Sequence, residues 1–162
     1  YTRWDYIDRF NGHFFSLWSA NQDGTNPQLV YGNYTVKPQV KFEARSVPGS
    51  SKLVITAGAH HSITGGSLCL LDRAHGTEEA EPLTRLTPEV CFPETSGWPE
   101  PYYANPWPLS EEYFLVAWAD TTPNSEGNYE FGVEFADPAN LFGVSFPPTD
   151  WAKGTAGGDS DP

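Results

Sequence analysis

Residues 44–55 read Ala44-Arg45-Ser46-Val47-Pro48-Gly49-Ser50-Ser51-Lys52-Leu53-Val54-Ile55, and residues 104–115 read Ala104-Asn105-Pro106-Trp107-Pro108-Leu109-Ser110-Glu111-Glu112-Tyr113-Phe114-Leu115. At an offset of 60 residues (44 to 104), Ala, Pro and Ser recur at 44/104, 48/108 and 50/110. Each copy runs into an apolar stretch, 53–57 or 113–118. Proline fixes φ in a turn, and glycine or serine supplies the permissive or hydrogen-bonding position beside it. The two segments therefore predict one unit used twice: a strand, a Pro-anchored tight turn and a second strand.

A second unit surrounds the first. Phe14-Phe15-Ser16-Leu17-Trp18-Ser19-Ala20 leads through the turn pair Asp23-Gly24 to Leu29-Val30-Tyr31. Asp-Gly favours the positive φ that a hairpin demands. Ser67-Leu68-Cys69-Leu70-Leu71-Asp72 leads past His75-Gly76 to Leu83-Thr84-Arg85-Leu86. Tyr129-Glu130-Phe131-Gly132-Val133-Glu134-Phe135 leads past Asp137-Pro138 to Leu141-Phe142. In this third copy Tyr129, Phe131, Val133 and Phe135 alternate, as a strand with one apolar face requires.

The composition agrees. Among 162 residues there are 15 Gly and 15 Pro, which disfavour long helices, and 6 Trp, 8 Tyr and 10 Phe, which favour strands. The expected fold is all-β: propeller-type blades of antiparallel strands over residues 1–150, followed by a flexible Gly/Asp-rich tail, 151–162. About two and a half four-stranded blades fit, too few to close a ring alone, since closed propellers use about 4–8. The alternatives are self-assembly or collapse into a sandwich. Long connections are expected at 58–66, 87–103 and 120–128.

Charge excludes some partners. The formal net charge is −12, from 9 Lys+Arg against 21 Asp+Glu. Nucleic acids and anionic membrane surfaces are bound through cationic contacts, so neither is an expected partner. No apolar run reaches the length of a membrane span. The sequence opens at Tyr1 with no signal-peptide pattern, which points to a mature or excised segment. Cys69 and Cys91 suit either one disulfide or two buried thiols.

His60-His61 is the best metal candidate, because imidazole suits Cu, Zn, Fe or Ni and the flanking Gly58 and Gly65-Gly66 suggest a loop that turns both rings inward. Further ligands would come from His13, His75, Asp72 or Glu94. Trp98, Tyr102, Tyr103 and Trp107 gather in one Pro-rich stretch and are candidates for stacking on a glycan. The pairs Glu78/Glu79 and Glu111/Glu112 read as solvated turn charges, and Asp5 and Asp8 as partners for Arg3 or Arg9. Gly-x-Ser-x-Gly and phosphate-loop patterns are absent.

The strings Arg3-Trp4-Asp5-Tyr6-Ile7-Asp8-Arg9, Leu17-Trp18-Ser19-Ala20-Asn21-Gln22-Asp23-Gly24-Thr25-Asn26-Pro27 and Tyr31-Gly32-Asn33 resemble the propeller region of hydrazine synthase alpha-subunit-like proteins. Ala44 to Ser50, Ala59-His60-His61, Gly65-Gly66-Ser67-Leu68, Leu86-Thr87-Pro88-Glu89-Val90 and Phe92-Pro93-Glu94 continue the resemblance over residues 3–142, and the units also resemble TolB-type, WD40-like propeller repeats. The resemblance implies a large extracytoplasmic (periplasmic or secreted) protein whose propeller sits beside haem-bearing domains. The family's covalent haem motif, Cys-x-x-Cys-His, is absent here, so no haem ligand carries over. The expected role is a scaffold or binding segment whose partners are the remaining blades or domains, or further copies of itself. Two other readings stand beside it: a small metal-dependent, oxidative or polysaccharide-acting enzyme using His60 and His61, and a carbohydrate-binding module using Trp98, Tyr102, Tyr103 and Trp107.

Overall fold

A computed structural model describes residues 1–6, 13–61, 64–119, 130–136 and 154–155. The strands are β1 (Thr2–Tyr6), β2 (His13–Ser19), β3 (Gln28–Tyr31), β4 (Val40–Ser46), β5 (Leu53–Gly58), β6 (Ser67–Leu71), β7 (Leu83–Arg85), β8 (Tyr102–Pro108), β9 (Phe114–Ala119), β10 (Glu130–Ala136) and β11 (Gly154–Thr155). The described residues contain no α-helix, only one 3-10 turn at Arg73–His75. The fold is all-β and mostly antiparallel, and it does not close into a barrel.

The strands form a seven-stranded sheet, β1 to β7, and a four-stranded sheet, β8 to β11; within them run three meanders, called below the first, second and third layers. β1, β2 and β3 are the first, β4 to β7 the second, and β8 to β11 the third. One parallel pair, Phe15 with Val40, joins the first layer to the second. One bridge, Gly66 with Tyr103, joins the second to the third.

Alternation along β5 and β6 explains the stacking. Both strands are buried on both faces. Ile55, Ala57, Cys69 and Leu71 pack with Leu17, Val30 and Tyr31 of the first layer. Val54, Leu68 and Leu70, one residue out of phase, pack with Phe114 and Val116 of the third. A strand sends successive side chains to opposite faces, so a continuous apolar run serves two cores at once. Each fully buried aliphatic side chain contributes about 1.5–3 kcal/mol, which makes this middle layer the centre of the molecule.

The second and third layers repeat one hairpin. Phe42 pairs with Thr56 and Arg45 with Val54, leaving Glu43 and Ala44 opposite Ile55 in a bulge. Ala104 pairs with Ala117 and Trp107 with Leu115, leaving Asn105 and Pro106 opposite Val116 in the same bulge. Glu43 (φ 56°) and Asn105 (φ 51°) both take the left-handed conformation there. The repeat seen in sequence is thus present, with a correction to its register. The structural offset is 62 residues in the first strand (46 to 108) and 61 in the second (53 to 114). It is 60 only in the turn, where Ser50 and Ser110 each accept the backbone N–H two residues on, at 3.0 Å. Pro48 lies in its turn as expected, but Pro108 ends strand β8. It is tolerated because β8 is an edge strand, where a missing N–H costs no ladder bond.

The strands expected at 14–20, 29–31, 53–57, 67–72, 83–86, 113–118 and 129–135 all form, within a residue or two. Tyr102, Tyr103 and Trp107, expected in an irregular Pro-rich stretch, instead lie on β8. The connection expected at 120–128 and the turn at Asp137-Pro138 lie outside the described residues. Of the tail, only Gly154–Thr155 is described, paired with Phe131 and Glu130. Cys69 and Cys91 are both free thiols, and burial pushes Cys69 up to about 12.

Candidate functional site

His60 and His61 follow β5 and lie between Trp4 and Phe15 of the first layer and Glu94 of the connection before β8. The His60 backbone N–H donates to Gln39 Oε1 at 2.7 Å. Its ring lies 5.4 Å from those of Trp4 and Phe15, which stack on each other at 5.5 Å. The His61 ring is 4.2 Å from that of His60. Its Nδ1 sits 2.7 Å from Glu94 Oε1, and its backbone N–H donates to Glu94 Oε2 at 3.2 Å. Burial pushes the Glu94 carboxyl up, but these contacts with His61 more than offset it and hold the group below the ordinary carboxylate range.

This arrangement fixes one imidazole against one carboxylate and packs the other among aromatic rings. Among the described residues no three His, Cys, Asp or Glu side chains gather at the spacing of a metal site. Of the further ligands considered, Glu94 arrives beside His61, while His75 pairs with Asp72 (Nε2 to Oδ2, 3.8 Å) at the 3-10 turn. The side chain of His13 lies outside the described residues. The described residues thus fit a hydrogen-bonded His–Glu pair better than a metal centre.

The four aromatic candidates separate. Tyr102 is 9% exposed, and Tyr103 packs beside the core formed by Phe114 and Val116. Trp98 is exposed, in the connection before β8. Trp107 is 55% exposed and lines a groove of 390 Å³ between the second and third layers, with Ala44, Arg45, Ser46, Pro48 and Pro108. The Arg45 guanidinium lies 4.7 Å from the Trp107 ring centroid. Compared with family models, with curated proteins and with solved structures, the chain matches none.

Sequence reasoning passed over Lys41. Its residue is completely buried. Its Nζ donates to the carbonyls of Thr35 (2.9 Å), Gln39 (3.3 Å) and Gly32 (3.4 Å) and lies 5.6 Å from the Tyr31 ring. An ammonium has three protons, and the cage offers three acceptors. Burial pushes Lys41 down to about 7, with Glu78 and Glu79 pulling it back up. Gly32 (φ +83°) is required here, since a Cβ on it would stand 2.6 Å from Lys41 Cε. Glu78, expected to be a solvated turn charge, closes the cage from outside. Its carboxylate accepts the N–H groups of Asn33 and Tyr34, both at 3.0 Å, and the Thr35 hydroxyl at 2.8 Å. Alternation along β4 sets Lys41 on the face opposite Val40 and Phe42; what buries it is the cage of acceptors, which comes from a loop that sequence does not fold.

Proposed function

We propose that this chain is a run of consecutive β-propeller blades, forming a scaffold and binding segment of a larger extracytoplasmic protein of the kind its sequence resembles. The observation that carries the reading is the repeated face order. One face of β5 and β6 (Val54, Leu68, Leu70) covers the third layer, as Leu17 and Tyr31 of the first layer cover the opposite face of the second. Blades stack in this way around a ring, each presenting one face to the preceding sheet and the other to the next.

Among the described residues, the same order leaves one face of the third layer with no sheet packed on it. Arg45 and Val54 of the second layer correspond in register to Trp107 and Leu115 of the third. Val54 is fully buried, whereas Leu115 and Ala117 are half-buried. Register continues this row of positions onto Val133 and Phe135 of β10. In a larger protein the next blade would cover it; in the isolated chain a second copy would.

Measuring the solution mass of the isolated chain across a concentration series tests the reading. Self-association that Leu115→Glu abolishes, with the strand content retained, is expected. A stable monomer at every concentration would count against the blade reading, because an apolar sheet face of this kind is not left bare in a complete domain.

A further inference from the structure

We propose that the groove between Arg45 and Trp107 is a binding site for a carboxylated sugar, as found in an oligouronate chain. The groove is built wholly from this chain, so the inference does not rest on reading the layers as blades.

Three observations converge. First, Arg45 is an exposed cation in an acidic protein. Despite 21 Asp+Glu, its guanidinium makes no ion pair among the described residues, while Arg3 pairs with Asp5 and Lys52 with Glu111. Its planar fork therefore keeps its donors for a carboxylate, the group it matches bidentately.

Second, Trp107 presents a flat apolar surface at the same place. Arg45 lies over the indole at 4.7 Å, yet the residue stays 55% exposed. An indole face suits the C–H face of a pyranose ring, and the adjoining guanidinium suits a carboxylate projecting from that ring.

Third, the groove continues. A second groove of 330 Å³ between the first and second layers shares Ala44 and Ser46 with it and is lined by Trp18. Arg3 lies 4.9 Å from the Trp18 ring centroid but is already paired with Asp5, so this groove adds an indole and not a second free cation. Adjoining grooves, each with an indole, fit successive units of a chain better than one small aromatic acid. Salt screening confines the opposing net charge to about 8 Å at physiological ionic strength, so the local cation governs a ligand seated beside it.

Calorimetric titration with trigalacturonate, with neutral galactotriose and with benzoate tests the site, using wild type, Arg45→Gln and Trp107→Ala. Both side chains are exposed, and near-ultraviolet circular dichroism checks that the fold is kept. Trigalacturonate is expected to bind wild type at least about tenfold more tightly than galactotriose or benzoate. Arg45→Gln should erase that preference while leaving the neutral sugar unchanged, and Trp107→Ala should weaken both sugars. No heat with trigalacturonate at millimolar concentration, equal affinity for the neutral sugar or for benzoate, or binding unaffected by either substitution would overturn the proposal.

Discussion

The carboxylate of Glu43 accepts the backbone N–H of Asn105 at 2.5 Å, and these two residues hold the same place in successive repeats. One bulge thereby caps the next. The same Oε2 also accepts the Thr56 hydroxyl at 2.9 Å, tying the bulge to the strand opposite it. The two turns are joined in the same sense, with Lys52 Nζ 2.6 Å from Glu111 Oε2 and the Ser50 hydroxyl 2.5 Å from Oε1.

Glu43→Ala should destabilise the protein by about 1.5–3 kcal/mol, the range for hydrogen bonds to a charged group. Urea denaturation followed by tryptophan fluorescence measures it. An unchanged midpoint would show that the second and third layers do not depend on this cap.

Gly66→Ala should be among the most damaging single substitutions. A Cβ there would stand 2.0 Å from the Ala57 carbonyl oxygen, which is backbone within a paired strand. Overpacking of this kind costs about 3 kcal/mol or more where backbone must move. Gly49→Ala is the control: its φ of +71° is strained, but the space around it is open. Thermal melts of the two variants should differ clearly, and equal melting temperatures would refute the close approach of Gly66 to Ala57.

Lys41 links stability to pH. Its folded-state pKa of about 7 lies below the ordinary lysine value of 10.5. Between those values the unfolded chain holds a proton that the folded chain has released, so stability should rise as pH climbs from about 7 towards 10.5. Lys41→Met should flatten that rise. The substitution should also cost about 1–3 kcal/mol at neutral pH, because the Gly32, Thr35 and Gln39 carbonyls lose their donor. Urea midpoints at several pH values decide the matter; an identical slope in both proteins would sink the linkage.

Glu94 acts at the other end of the scale. Its carboxyl is held below 4.5 in the folded state, so the stability it contributes is fully present above that value and is lost as pH falls through its lowered pKa. His61→Ala should return the carboxyl towards its ordinary value. Carboxyl ¹³C titration by NMR reads the midpoint directly, and a midpoint that does not move would remove His61 as its cause.

The sequence by itself determined the strands and the idea of a repeat. The apolar runs at 53–57 and 67–72, the Asp23-Gly24 turn and the serines of the two turns are local features, and local sterics fix what they form. The true register was not legible. A matching Pro48/Pro108 pair implied an offset of 60, but turns of unequal length move the strands to 62 and 61. Nor did neighbours in sequence share one surface: Tyr102, Tyr103 and Trp107 lie on one strand, yet Tyr102 is buried, Tyr103 packs beside the core and Trp107 is left at the groove. Arg45 beside Trp107, Glu94 beside His61 and the carbonyl cage around Lys41 join residues 62, 33 and up to 9 positions apart. Only tertiary structure decided these contacts, because they depend on how layers stack and loops close, and periodicity along a chain carries no record of which surfaces will face each other.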